Sequence, residues 1–583
     1  MAFLAKSNHP TAPTDWRTLE QHSLDVASAV RVLLGSAVLR DRCATALGQP
    51  VDAAVIDTLS VLAVLHDLGK ADARWQSYIR RTGPRRDHTA PFLVHLDTTP
   101  PLCEALRPAL ALVDDEEAML LTVVAHHGAP ITEEALRRYR GRSDETTDPA
   151  AVAETGRLVE VAFRFYPHAR PIAWTPAFSH AFAGIIMLAD WLGSSIAFGH
   201  GADREAVVAA ELATTGWRAF CTGVDPAAVL PSLRPGQSAV IGAPLGDRLV
   251  LLEDSTGSGK TEAATIRALA LIDAGLVEGM YFAVPTRSAA TELHARIARI
   301  IASVHPGQAG RVMRAVPTAL DTDELLPGQE RSWAAGSSKK AAVAAIGIGT
   351  IDQALLSIMR VRHSWLRRAA LSTKLLVVDE VHAGDAYMLR LIEELVSAHV
   401  EGGGHAMTMS ATLGEEAKAR LLARQRRPLE EARAEPYPRL TTTSTTISFA
   451  PSSSRIISVE IDEHCDALAQ AVTAARAGAR VLWIRSTVAE AVIDRHALAD
   501  RGVQTVLHHS RYANPDRVLK DCEVLAALGK KPGRDGEGVI VVGTQTVEQS
   551  LEIDADLLVT DAVPADVMLQ RWGRLHRWDR LHH

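Results

Sequence analysis

Asp254-Ser-Thr-Gly-Ser-Gly-Lys-Thr261, set between the apolar run Leu249-Val-Leu-Leu252 and a helical pattern that starts near Glu262, decides how this chain is read. A glycine-rich loop that leaves a strand and enters a helix turns its backbone N–H groups inward and cradles phosphate. Thr256, Gly257, Ser258 and Gly259 form that cradle, Lys260 reaches the β and γ phosphates of ATP, and the Thr261 hydroxyl holds magnesium. The loop opens on Asp254 where a small residue is usual, which suits a carboxylate that points outward. Downstream, Leu375-Leu-Val-Val378 ends in Asp379-Glu-Val-His382, so two carboxylates emerge at the edge of a buried strand. Asp379 reads as a magnesium ligand and Glu380 as the base that orients water. Ser410-Ala-Thr412 follows another strand with hydroxyls that could sense the terminal phosphate. Gln570-Arg-Trp-Gly-Arg-Leu-His-Arg577 places Gln570, Arg574 and Arg577 on one side of a predicted helix, the arginines as fingers for the γ phosphate. In series, these segments are the parts of an ATP-driven motor on nucleic acid.

A chain of 583 residues exceeds one hydrophobic core and suggests about three or four domains. Apolar positions recur at helical spacing over 55–65, 118–124 and 178–192, so residues 1–225 read as an all-α domain. Beyond the Pro/Gly-punctuated stretch 231–246, β-rich runs at 249–252, 281–284, 375–378 and 406–409 alternate with helical segments. That alternation predicts a parallel sheet wrapped by helices over 226–445. A Ser/Thr-rich connector, 440–454, precedes a second series at 480–484, 504–507, 538–542 and 557–560, the second α/β lobe of 446–583. The chain stops at His583 soon after the arginine-rich segment, so this lobe is expected to be truncated at its C-terminus.

The net charge of −7 gives no overall basic footprint, so any nucleic-acid site must be a local groove. Pro285-Thr286-Arg287, Gly349-Thr350-Ile351-Asp352-Gln353 and Gly543-Thr544-Gln545 offer hydroxyls and amides suited to a phosphodiester track. Each also reads as a turn followed by a helix cap. As a track they would grip a single strand with little base preference. Five scattered cysteines without CxxC spacing argue against a zinc ribbon and a disulfide framework, and no apolar run reaches about 20 residues. A cytoplasmic protein with no membrane segment, acting as a monomer, is expected.

Ahead of the motor, His66-Asp67-Leu-Gly-Lys70 closes a helix with two adjacent ligands and a glycine that lets the chain turn away. His22, His126-His127-Gly128, Asp190 and His88 in a loop add imidazoles and a carboxylate from separate helices. Such a set suits two transition ions bridged by Asp67, with Lys70 neutralising a pentavalent phosphate. His95 competes with His88 for the loop position. His126 and His127 cannot point the same way on a regular helix, so Gly128 and Pro130 must end it there.

Together these segments, with Ala5-Lys-Ser7, His22-Ser-Leu24, Trp75-Gln76 and Ala189-Asp190-Trp191, resemble the CRISPR-associated HD-nuclease/helicase of type I interference systems. The resemblance implies an HD domain with single-stranded DNA nuclease activity and two RecA-like lobes that translocate 3′ to 5′ on ATP and magnesium. It further implies recruitment by a crRNA-guided Cascade-type complex that has opened foreign DNA. By resemblance, His22, His66, Asp67 and Asp190 hold one metal, and Asp67, His88, His126 and His127 the other, the ions being manganese, iron, nickel or cobalt. Ser486-Thr487 stands where the family often has Asn-Thr, and the family's C-terminal accessory domain is expected to be missing. Two other readings remain: a truncated remnant that binds nucleotide and DNA without translocating or cutting, or an HD nucleotide phosphohydrolase fused to an RNA helicase.

Overall fold

The computed structural model describes residues 2–7, 16–140, 148–196, 198, 201–215, 230, 232–305, 312–316, 343–381, 386–411, 413–451, 456–461, 466–530, 538–549 and 551–577. His382 and Thr412, singled out in the sequence, lie outside them. The N-terminal region is helical, as its periodicity predicts, with Leu19–Leu34, Ala53–Val64 and Pro176–Ser195 at its centre. Thr18 starts the first of these with a reciprocal capping box to Gln21. One departure from an all-α reading is a small antiparallel pair, β1 (Leu4–Ser7) and β2 (Trp16–Thr18), which leads directly into that helix.

Six parallel strands form the body of the first α/β lobe: β3 (Leu249–Glu253), β4 (Gly279–Val284), β5 (Val312–Ala315), β6 (Ile346–Thr350), β7 (Lys374–Val378) and β8 (His405–Ser410). Hydrophobic clusters cover both faces of the sheet, which is why β3, β4 and β7 read as unbroken apolar runs rather than alternating ones. β5 and β6 escaped the sequence reading because β6, Ile-Gly-Ile-Gly-Thr, is glycine-rich. The connector 440–454 is more than a linker. Within and beside it, β9 (Arg439–Thr442) pairs antiparallel with β3, and β10 (Thr446–Ser448) with β9, so this sheet runs past the expected boundary at 445. The strand order is β10-β9-β3-β8-β7-β4-β6-β5. In the second lobe β11 (Arg480–Ile484), β12 (Thr505–His508), β13 (Val539–Gly543) and β14 (Leu557–Thr560) form a parallel sheet of order β12-β13-β11-β14.

The helical domain and the first lobe share a core. Ala369 and Ala370, on the helix Ser364–Ser372, belong to the same cluster as Val26 and Leu188. Gly184 permits this approach, since a Cβ there would sit 2.3 Å from the Trp365 carbonyl oxygen. Arg42 crosses the seam, donating from Nε to Ser372 O at 3.2 Å and from Nη2 to Leu276 O at 3.0 Å. Among the described residues no single helix is long and apolar enough to cross a membrane.

The edge of the first sheet is fixed by a buried ion pair. Arg439 on β9 donates from Nε to Glu253 Oε2 at 2.6 Å and from Nη2 to Oε1 at 2.9 Å, with Lys418 Nζ 3.4 Å from the same carboxylate. Removing one member of such a pair leaves a buried charge uncompensated. Glu253→Gln is therefore expected to destabilise the first lobe by about 3–5 kcal/mol. Urea unfolding followed by hydrogen exchange in β3 and β9 checks this, and an unchanged midpoint would show that the pair contributes nothing.

Candidate functional site

The helix Ala53–Val64 tightens into a 3-10 turn, Leu65–Ala71, that carries the histidine–aspartate pair. Asp67 is buried, and its two oxygens face different partners. Oδ2 lies 3.1 Å from His22 Nε2 and 3.3 Å from His66 Nε2, and accepts a bond from Lys70 Nζ. Oδ1 lies 3.0 Å from His88 Nε2 and 3.3 Å from His126 Nε2. Asp190 Oδ1 joins the first group 3.4 Å from His22 Nε2, and His127 Nε2 joins the second 3.2 Å from His88 Nε2. Donor atoms of His22, His66 and Asp190 all lie within 4.8 Å of one another, as do those of His88, His126 and His127. The structure thus brings together all seven predicted ligands, and takes His88 rather than His95 into the second group.

The donor set fits two cations. His66 Nδ1 lies 2.8 Å from Ala63 O and His126 Nδ1 3.2 Å from Val123 O, so with a cation bound the proton can reside on each Nδ1 and leave each Nε2 lone pair for the ion. Both Nε2 atoms are buried without a hydrogen bond, an arrangement that a bound cation would satisfy. The electrostatics agree. Burial opposes charge on Asp67, but Lys70 and the surrounding histidines outweigh it and hold the carboxyl well below its ordinary range; His22 does the same for Asp190. Burial likewise disfavours charge on His22, yet the Asp190 and Asp67 carboxylates prevail and raise its pKa, whereas at His88 burial wins and lowers it.

Two glycines set this geometry. Gly69 does not turn the chain away, as the sequence suggests. A Cβ on it would lie 1.9 Å from His88 O, so its bareness lets the His88 loop dock beside Asp67. Gly128 does end the second histidine pair, at φ 99°, after the 3-10 turn Ala125–His127 has brought both imidazoles into the same group.

In the cleft between the α/β lobes, a cavity of 640 Å³ is lined by Thr256, Gly257, Gly259, Lys260 and Thr261 on one side and by Arg574 and Arg577 on the other, with Asp379 and Glu380 at its base. Gly257 and Gly259 take φ 77° and 96°, and the helix Lys260–Asp273 begins there. Lys260 Nζ donates to Asp254 O and Ser255 O, each at 3.0 Å, which poises it on the rim of the loop. Asp254 points inward, contrary to expectation. Its Oδ1 accepts the Ser255 N–H at 2.8 Å, and burial raises the Asp254 pKa. Burial and the neighbouring Glu380 push Asp379 up, and Glu380 itself sits at φ 53°. Two carboxyl groups crowded in a buried site favour a cation that offsets their charge, and with Lys260 and the Thr261 hydroxyl in the same cavity the pair fits magnesium.

The arginines arrive by a different route from the one predicted. The helix Ala565–Trp572 ends before them, so Gln570, Arg574 and Arg577 share no helical face, and Gln570 is buried away from the cavity lining. Arg574 donates from Nη1 to Leu551 O at 2.7 Å and from Nε to Glu548 O at 3.0 Å, and burial with Arg577 nearby lowers its pKa to about 9. Arg577 comes nearest the cradle, its Nε 3.4 Å from where a Cβ on Gly257 would stand. Sequence reading missed Arg234 and Gln237, which donate to Gly257 O at 2.5 Å and Gly259 O at 3.2 Å; Pro235-Gly236 opening a helix was the available signal. It also missed Arg296, which bonds Glu262 at 2.7 Å and Glu552 of the second lobe at 3.0 Å.

The proposed nucleic-acid residues divide. Val284 and Thr350 are register partners on adjacent strands, so Pro285-Thr286-Arg287 and Gln353 share one edge of the sheet, with Arg287 exposed. Thr286 caps its helix through Ala289 N at 3.2 Å, and Gln353 Oε1 accepts from Arg367 at 3.3 Å. The hydroxyl-bearing Thr350 and Thr544 are buried, and Gly349 abuts Tyr281, where a Cβ would meet the phenol oxygen at 2.2 Å. These three pack the strand ends instead of facing a groove.

A cleft built for a nucleotide between two parallel-sheet lobes, joined to a helical domain with paired ligand groups, defines an enzyme with ATP-hydrolase and nuclease domains. Three family models match in succession: the Cas3 HD domain over 4–198, the DEAD/DEAH box helicase over 234–420 and the C-terminal part of the CRISPR-associated nuclease/helicase Cas3 over 477–580. The Cas3 endonuclease/helicase of Thermus thermophilus is 29% identical over all of this chain and 73% of its own length. That of Escherichia coli K12 is 32% identical over 59% of this chain and 42% of its own. The T. fusca Cas3-ATP crystal structure matches with a TM-score of 0.75 at 26% identity, covering 99% of this chain and 72% of that one. This chain belongs to the CRISPR-associated nuclease/helicase family.

In EDTA the ligand carboxylates govern acid stability. Asp67 and Asp190 are depressed below 3.8, so the unfolded state binds more protons, and the stability they contribute is present above pH 3.8 and lost as the pH falls through their folded values. Acid unfolding of the helix Leu19–Leu34, followed by hydrogen exchange, is expected to begin below that pH and to be shallower in Asp67→Asn. An identical profile in the variant would contradict the assignment.

Proposed function

We propose that this chain couples ATP hydrolysis to movement along single-stranded DNA and cleaves that strand in the helical domain, acting on foreign DNA exposed by a crRNA-guided complex. The observation that carries the nuclease half is the division of four histidines between the two oxygens of Asp67, with Asp190 joining one pair and His127 the other. In this reading His22, His66 and Asp190 orient one cation and His88, His126 and His127 the other. Two divalent transition ions, when bound, would activate water and offset charge on the phosphodiester. Lys70, bonded to Asp67, then supplies a positive charge beside the scissile phosphate.

In the motor, Lys260 moves from the loop carbonyls to the β and γ phosphates, Thr261 and Asp379 hold magnesium, and Glu380 orients the attacking water. Arg577, from the opposite lobe, approaches the γ phosphate as the cleft closes, while Arg574 anchors its segment to the carbonyls of Glu548 and Leu551. Arg287, exposed at the strand edge, contacts the sugar–phosphate backbone. The domain limits proposed are a nuclease domain to about residue 225 and two motor lobes that meet beyond Ser448.

Circular single-stranded DNA with manganese and no ATP separates the readings. Nicking is expected from the intact chain, lost in Asp67→Ala with ATPase retained; Lys260→Ala is expected to lose ATPase and keep nicking. Hydrolysis of mononucleotides without nicking would overturn the nuclease assignment in favour of a nucleotide phosphohydrolase.

A further inference from the structure

His127 is the exposed member of the second ligand group, its ring packed against His88 and His126 on one side only. The backbone behind it is held from another domain. Arg362 Nη2 donates to His127 O at 3.1 Å, and the His363 N–H donates to Gly128 O at 2.6 Å. Both donors belong to the turn before the helix Ser364–Ser372 of the first motor lobe. His363 takes φ 64°, a left-handed conformation that costs a non-glycine residue free energy and persists only where surroundings impose it. Its ring lies over the bare face of Gly128, where a Cβ would come within 2.5 Å of Nδ1 and Cε1, and also against Trp191 at 5.4 Å between centroids. Trp191 follows the ligand Asp190. One strained turn therefore touches the backbone of one ligand group and the neighbour of the other.

We infer that the Arg362–His363 turn is a positioning element of the nuclease centre: the motor lobe sets the His127 imidazole, so the second cation is held fully only while the two domains are docked. This rests on the two-cation reading above. Neither residue touches the reacting atoms. Their effect is to fix the backbone behind the most exposed ligand, as partners behind a ligand generally do. The same turn lies between the helix Ile351–Leu355, at the strand edge assigned to DNA, and the seam with the helical domain. A shift of that edge is thereby transmitted to a ligand.

Cobalt binding to the full chain tests this, read by calorimetry and by the cobalt ligand-field spectrum, with nicking of circular single-stranded DNA measured alongside. Arg362→Ala is expected to weaken the second of two cobalt ions by about 10–100-fold and change its spectrum, leaving the first ion unchanged. It should lower kcat for nicking with KM and ATPase unaltered, and Arg362→Lys, which keeps a donor, should restore the binding. His363→Ala keeps the N–H but loses the ring, and is expected to broaden the spectra of both ions. Unchanged affinity and spectra in both variants would overturn the inference, as would equal loss of both ions together with melting of the helical domain, which would mark a merely structural role. Asp67→Ala separates the two claims: if it retains both ions the two-cation reading fails, whereas loss there with Arg362→Ala unchanged defeats only the positioning role.

Discussion

A carboxylate removed from water must be compensated by what surrounds it, and the nuclease half of this molecule is organised around that requirement at Asp67. Stripped of solvent, the group would favour its neutral form; Lys70 and the facing imidazoles keep it ionised. The solution is geometrically exacting, because partners must approach both oxygens without clashing. That explains the otherwise unrelated local features nearby: a helix that tightens to 3-10 winding, a glycine pressed against a neighbouring peptide, and histidines locked through Nδ1 to backbone carbonyls.

The motor relies on a different arrangement, with charges held apart until needed. The cradle and the acidic pair stand on the first lobe, and Arg577 of the second reaches the cradle from the other side of the cavity. Lys260 rests on its own loop, and Arg574 is committed to carbonyl oxygens. Between nuclease and motor the join is a packed core rather than a tether, with Ala369 and Ala370 buried among residues of the helical domain and Arg42 reaching the other way. Movement of the first lobe is therefore movement of the nuclease domain with it, whereas the second lobe meets the first across the cleft through contacts such as Arg296 with Glu552.

How much of this could be read from sequence follows from the range of the interactions. The phosphate loop, the acidic strand end and the histidine–aspartate pair were legible because strand, loop and helix signals are local. The choice of His88 over His95 was not, since it depends on Gly69 admitting a peptide from a distant loop. Asp254 was read as outward because nothing nearby in sequence announces that its carboxylate turns in to accept the Ser255 N–H. Gln570 failed because helical spacing was extended past the point where the helix stops. The strand β6 was hidden by its glycines, and the edge strands β9 and β10 by the Ser/Thr-rich texture of a linker.

Arg296, bonded to Glu552 on the opposite lobe at 3.0 Å, is one of the few charges that spans the cleft, and both side chains are partly open to solvent. Attraction of that kind is screened over about 8 Å at physiological ionic strength. That contact weakens as salt is added, so the electrolyte bathing the polypeptide enters the balance of forces across the cleft.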